Sequence, residues 1–341
     1  MSLAAPPARR EPSSLLRTLS NIWSWLFLLF LIVFFEVWAR LTGSTFLFNL
    51  SSLQSILIAA VQPLLIALGM TFVIIAGGID LSVGFTVGLA AVMSALVMNI
   101  LDPHLPAFLS FILAAVVALV SAAVVGWING FMIARWNVPP FIGTLGMYGV
   151  ARGIAYLIAV SNGAGSTVPT TNPVSESVGN GVVLWVIPTP VLITVVIVFF
   201  LHYLLAHTRF GQYTYAVGGN RNAAVRAGIN VNRHTIMLYV LTALLAGVAG
   251  VIYTGRFTAG AAQAGEPTLL DAIAAVVIGG ASLFGGEGTV RGTVIGAMII
   301  AVIQFGLVFI NVQPFWQFIT VGAVIILSVL VDQARKSVVR S

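Results

Sequence analysis

Apolar runs of about twenty residues alternate with short polar intervals along almost the whole chain. At the rise of an α-helix, about twenty apolar residues cross the ~30 Å hydrocarbon core of a bilayer. The strands of a membrane barrel would instead alternate apolar and polar positions. The pattern therefore predicts an all-α membrane protein, a polytopic bundle of about ten transmembrane helices. The expected spans lie near 24–42, 51–76, 82–100, 107–134, 141–160, 184–206, 235–255, 269–285, 291–311 and 314–332. They form one membrane domain, 24–332, between an N-terminal tail, 1–23, and a C-terminal tail, 333–341. The first apolar run, Trp25 to Leu41, exceeds a signal-peptide core and lacks a clear small-residue cleavage site, so it reads as a span. Trp23, Trp25 and Trp38 suit the two interfaces at its ends.

The longest polar interval runs from Thr208 to His234 and carries Arg209, Arg221, Arg226 and Arg233 without an acidic residue. Arginine costs roughly 2.5–3.5 kcal/mol at the centre of a spanning helix, so this segment lies outside the hydrocarbon. Its middle predicts a short helix. Asn220 or Asn222 can cap the start, and Ala223, Ala224 and Ala227 are strong helix formers. Gly228 can take the left-handed turn that ends a helix, and Arg226 sits where the C-terminal dipole favours a cation. Two readings stand: a docking surface, or a loop with a little local order.

Two glycine-rich interruptions break the helical pattern. Gly77-Gly78-Ile79-Asp80-Leu81-Ser82-Val83-Gly84 separates the second and third spans, and Gly279-Gly280-Ala281-Ser282-Leu283-Phe284-Gly285-Gly286 the eighth and ninth. Aligned on their leading glycines they share Gly, Gly, Leu and Gly, a weak internal repeat. Such breaks at corresponding positions of two halves point to a transport pathway, because freed backbone groups need a protein-lined or wet site. Close helix packing at small residues is the other reading. The span count puts both breaks near the cytoplasmic side.

Composition narrows the class. The chain has 341 residues, 59% hydrophobic and 7% charged, with a mean hydropathy of +1.07, where a soluble domain carries roughly a quarter charged residues. The basic residues place the ends. With a cytoplasmic N-terminus, Arg9, Arg10, Arg17, Arg135, Arg209, Arg221, Arg226, Arg233, Arg291, Arg335, Lys336 and Arg340 fall inside. Only Arg40 and Arg256 fall outside, and Arg152 falls in a span, so both termini are expected in the cytoplasm. The arginines are scattered between spans and form no nucleic-acid groove. There is no cysteine, and His104, His202, His207 and His234 lie near span ends without metal-binding spacing. The single lysine, Lys336, rules out a phosphate-binding Gly-Lys loop, and no Gly-x-Ser-x-Gly elbow occurs. No enzyme is expected. The external stretch 161–183, rich in Ser, Thr, Asn, Pro and Gly, is expected to be irregular.

Several polar residues sit among apolar ones. Asp80 either opens the third span as a cap, together with Ser82, or handles substrate or an ion. Arg152 and Asp271 are charges in or beside spans that could pair with each other. Gln62, Asn129, Thr144 and Gln304 either line a path for a hydroxylated solute or bond helices together.

Three stretches carry a resemblance to a known family. They are Ala67 to Gly84, Ala216 to Asn230 through Gly218-Gly219-Asn220 and Ala223-Ala224, and Leu270 to Gly280. The chain resembles, from about Leu26 to Asp332, the membrane permease subunit of bacterial ABC importers for simple sugars, the ribose permease type. That resemblance implies a second permease chain, two cytoplasmic ATPase subunits that bind the ATP and Mg²⁺, and a periplasmic or extracellular sugar-binding protein, all at the inner membrane. It implies that 208–234 is the coupling segment. Gly218, Gly219, Asn220, Ala223, Ala224 and Gly228 would carry its helix and turns, and Arg221 and Arg226 polar contacts. Gln62, Gly77, Gly78, Asp80, Asn129, Thr144, Asp271, Gly279, Gly280 and Gln304 are the candidates for the pathway. The expected mechanism is alternating access along a path of small, weakly polar residues. The rivals are a stand-alone proton-coupled secondary transporter using Asp80 or Asp271, and a membrane enzyme.

Overall fold

The computed structural model describes residues 14–163, 165–313 and 315–340. Five helices come first: α1 (Ser14–Leu41), α2 (Leu50–Ile75), α3 (Val83–Leu101), α4 (Ala107–Arg135) and α5 (Pro140–Ser161). An insert follows, with β1 (Thr167–Pro169), α6 (Pro173–Asn180), β2 (Val182–Val183) and β3 (Ile187–Pro188). Then come α7 (Thr189–His207), α8 (Arg209–Gly219), α9 (Arg221–Arg226), α10 (Val231–Phe257) and β4 (Ala259–Ala261). The chain ends with α11 (Thr268–Ile278), α12 (Val290–Phe309) and α13 (Phe315–Arg340). Each expected span overlaps a helix. Eight of them, α1 to α5, α7, α10 and α12, are long and apolar enough to cross a bilayer. Residues 1–13 of the expected N-terminal tail, with Arg9 and Arg10, lie outside the described residues.

The bundle is built around α10, which packs against α2, α3 and α4. Its neighbours come close because they present glycine. A Cβ on Gly126 of α4 would lie 2.5 Å from the Tyr239 carbonyl oxygen, and one on Gly130 2.6 Å from Ile236 Cα. Gly69 of α2 meets Thr242 in the same way, and Gly250 of α10 meets Val87 to Ala91 of α3. Lipid tails are as apolar as leucine, so close approach and buried hydrogen bonds hold such helices together. The Thr242 hydroxyl accordingly donates to Gly69 O at 3.0 Å, and that of Thr254 to Ala91 O at 3.1 Å. A separate aromatic cluster, Phe35, Phe46, Phe305 and Phe309, ties α1 to α12.

The eighth expected span, 269–285, departs most from expectation. Its helix, α11, has 11 residues, roughly 16 Å long and about half a bilayer. The other half of the crossing is non-helical, a short strand at Ala259–Ala261 followed by successive turns through 262–267. Thr258 ends α10 in the left-handed conformation, and the chain then runs back along α3. Gly260 lies against Ala91, Ala262 against Gly88, and Gly265 against Gly84. Its backbone groups find partners in the protein, as any non-helical segment at that depth must. β4 pairs antiparallel with β1, Val168 opposite Gly260. The Ala262 N–H donates to Ser166 O at 2.9 Å, and Gln62 Nε2 to Ala264 O at 2.7 Å.

Among the described residues of 161–183 stand a strand, β1, and a helix, α6, contrary to the irregular segment its composition suggests. Asn172 caps α6 by accepting from the N–H groups of Val174 and Ser175, and Pro173 follows at the first helical position. Gly179 then sits on the backbone of Gly255 and Arg256, pinning α6 to the end of α10.

Gly126→Ala should lower the thermal midpoint of the detergent-solubilised protein by several degrees, because the α4–α10 contact has no room for a methyl group. Gly322→Ala, with nothing within 4 Å of the added atom, should leave it unchanged. A scanning fluorescence melt of the two variants decides this.

Candidate functional site

The segment between α7 and α10 folds into two helices where one was expected. α8 returns against the start of α10: the Phe210 and His234 rings lie 4.8 Å apart, and Thr214 Oγ1 is 3.0 Å from His234 Nε2. The Tyr215 hydroxyl donates to Gly288 O at 2.6 Å, and burial pushes its phenol above the ordinary value, so it keeps that proton. α9 is the helix predicted from the sequence. Asn220 is the cap, its side-chain oxygen accepting from Ala223 N–H at 2.9 Å. Gly228, at φ +83, closes it, with Ile229 N–H donating back to Ala224 O. Ala224 alone turns inward, against Val217, Val231, Ala76 and Ile229. Arg221, Asn222, Ala223, Val225 and Arg226 remain exposed, and neither arginine has an ion-pair partner among the described residues.

The two glycine interruptions meet this segment at one point. Gly286 N–H donates to the free Ile75 carbonyl at the end of α2, 2.8 Å away. Gly218, near the end of α8, lies on the same carbonyl, and a Cβ there would overlap it. Gly285 sits against both Gly77 and Gly218 O. Gly219 follows in the open. Three chain breaks are thus packed backbone to backbone, and a side chain at Gly218 would separate them.

Both interruptions end their helices in the same way. Gly77 takes φ +81, with its N–H donating to Ile74 O and that of Gly78 to Val73 O. Gly280 takes φ +87, with its N–H donating to Val277 O and that of Ala281 to Val276 O. Gly77 therefore corresponds to Gly280, one residue off the alignment on leading glycines. Each glycine pair offers two candidates for the left-handed position, and the end of the helix selects which is used. Gly279 packs instead on Gly292 of α12.

The polar pathway candidates bond within the chain. Asp80 is fully buried, and its Oδ1 accepts from the N–H and hydroxyl of Ser82, at 3.0 and 2.6 Å. Asn129 Nδ2 of α4 donates to the same Ser82 hydroxyl at 2.8 Å. The carboxylate thus fixes the residue that precedes α3 rather than the helix's own first-turn amides. Gln62 holds the non-helical chain, and Thr144 bonds back to Pro140 O. Asp271 of α11 accepts from Gln304 of α12 at 2.7 Å, so it does not pair with Arg152.

Arg152 lies elsewhere, on an outer face of α5. Its guanidinium sits 5.2 Å from the Phe85 ring centre and 5.8 Å from that of Tyr156. Tyr148 donates to Glu266 Oε1 at 3.3 Å, beside them. Tyr148, Arg152 and Tyr156 recur at every fourth position, a helical stripe readable in the sequence. Glu266 was not readable as its neighbour, because nothing in the sequence marks 258–267 as running back into the bundle.

The chain matches, over residues 52–329, the family model described as branched-chain amino acid transport system / permease component. It is 40% identical over 275 residues to the ribose import permease protein of Bacillus subtilis, covering 80% of this chain and 82% of that protein. It is 38% identical over 295 residues to the ribose import permease protein of Escherichia coli K12, covering 85% and 88%. It is also 38% identical over 298 residues to the galactose/methyl galactoside import permease protein of the same strain, again covering 85% and 88%.

Asn220→Ala should remove about 1 kcal/mol from α9 alone. Hydrogen exchange at the Ala223 amide should then quicken about fivefold, with amides in α10 unaffected; equal rates in both proteins would remove the cap from the account.

Proposed function

The chain belongs to the permease family whose model covers residues 52–329, and from that premise we propose what it carries and how it is driven. It is a multi-pass membrane permease component of an ABC importer and not an enzyme. Its cargo is a simple sugar, a pentose, hexose or related polyol. Two such chains enclose the path at the bacterial cytoplasmic membrane, with both termini and the 208–234 segment in the cytoplasm. An ATPase subunit binds ATP and Mg²⁺ and docks on α9, and a sugar-binding protein delivers cargo at the opposite face.

The observation that carries this reading is the junction of Ile75, Gly218 and Gly286. α9 offers the ATPase an exposed face with Arg221 and Arg226, while its single buried residue, Ala224, rests on Ala76 at the end of α2. A push on α9 therefore bears on the ends of α2 and α8 and on the turn after α11 together. Alternating access follows when these packed ends move as a unit between two arrangements. Asp80 and Asp271 serve as structural acceptors in this reading, because each is held by side chains of the same chain.

Reconstitution with ATPase and binding protein should give sugar uptake that requires ATP. Gly228→Val forces a branched residue into a left-handed turn, a strain of about 1–3 kcal/mol, and should uncouple ATP hydrolysis from the loaded binding protein. Uptake by the chain alone, driven by a pH difference, would replace this reading with the secondary transporter. Asp271→Asn separates the two independently: it should retain ATP-driven uptake, since an amide oxygen can still accept from Gln304.

A further inference from the structure

Arg152 carries a charge in the middle of an apolar helix. α5 has 22 residues, and Arg152 lies about 18 Å along it from one end and about 14 Å from the other. That is the middle of a bilayer, yet the side chain is exposed and has no hydrogen bond or ion pair among the described residues. Glu266 is exposed at a similar depth, since Gly265 packs on Gly84 and Tyr148 bridges to Phe85, both near the start of α3. Two formal charges open to the outside of the chain at mid-depth cannot face lipid tails. Gly149, three residues before Arg152 on α5, would meet nothing within 4 Å of an added Cβ, so the helix is uncovered beside the guanidinium.

We propose that Tyr148, Arg152, Tyr156 and Glu266 form a water-filled contact point halfway along the translocation path, where the hydroxyl groups of the passing sugar are handled. This rests on the sugar-permease reading and names residues within it. The chemistry suits a polyhydroxylated solute. Arg152 supplies several N–H donors and Glu266 an acceptor, while Tyr156 and Tyr148 offer ring faces and a hydroxyl. Phe85 lies 5.2 Å from the guanidinium carbon and packs edge-on at 4.6 Å from the Tyr148 ring, so it sits between the two. The lining thus departs from the small, weakly polar residues expected: it is formally charged. None of the four groups sits in a closed cage, so each contact can be made and released as the sugar moves.

The absence of cysteine from the chain makes a clean test possible. Arg152→Cys and Glu266→Cys are expressed in the complete importer in membrane vesicles, with Phe30→Cys and Val120→Cys as references on the outer faces of α1 and α4. The probe is a charged, water-soluble methanethiosulfonate, which needs a thiolate and hence water at the site. Labelling at 152 and 266 should outrun both references by about tenfold or more in at least one nucleotide state. Labelling as slow as the references in every state would mean that lipid or a second chain covers this face, and would overturn the proposal. A kinetic arm separates contact from mere wetness. With D-ribose as probe, Tyr148→Phe and Glu266→Gln should raise the KM of uptake several-fold while ATP hydrolysis persists. Unchanged kinetics in both variants would also overturn it. Labelling requires no transport, so fast labelling at 152 and 266 in an importer that moves no sugar would overturn the functional reading and the sugar contact while upholding the water-filled point.

Discussion

Hydrocarbon offers no hydrogen bonds, and this fact governs the architecture more than any side chain does. Every place where the backbone leaves the helix inside the bundle must find its partners in protein. The chain leaves it at several points: after α2, after α10 and after α11. At each, glycine lets one stretch of backbone lie directly on another. Gly84, Gly88, Gly260 and Gly265 bring the non-helical chain onto α3. Gly218, Gly285 and Gly286 bring three ends together on one carbonyl, that of Ile75.

Polar side chains follow the same rule in part, for Asp80 Oδ2 and Asn129 Oδ1 are buried without a partner among the described residues. Ser82 joins Asp80 to Asn129, Gln62 satisfies a carbonyl of the non-helical chain, and Gln304 satisfies Asp271. Each serves as an internal tie. The conspicuous polar residues of the sequence therefore hold the bundle, whereas Arg152, which with Glu266 faces outward, was conspicuous only by its depth.

The helices were legible because a twenty-residue apolar run has one structural meaning in a membrane. α9 was legible because Asn220, its alanines and Gly228 act locally, through caps that need no distant partner. α8 was missed: Gln212 to Tyr215 reads as polar linker, and only its packing on His234 and Gly288 makes it a helix. The half-length of α11 was hidden for a related reason. Residues 269–285 are apolar enough to cross, and the turn at Gly280 is a matter of backbone angle that hydropathy does not register. The cap of α6 was present in the sequence as Asn172-Pro173 but was masked by the composition around it.

The broken crossing has a mechanical meaning. A continuous helix carries displacement from one leaflet to the other like a rigid rod. Here the rod stops midway: its lower part is bolted to α12 through Asp271 and Gln304, and its upper part is stitched into a two-stranded ribbon with β1. The link between them, Ala264 to Pro267, is itself held, with Gln62 on the Ala264 carbonyl and Gly265 on Gly84. The crossing is thus shared among three neighbours, α12, α3 and β1, and no single rod carries it.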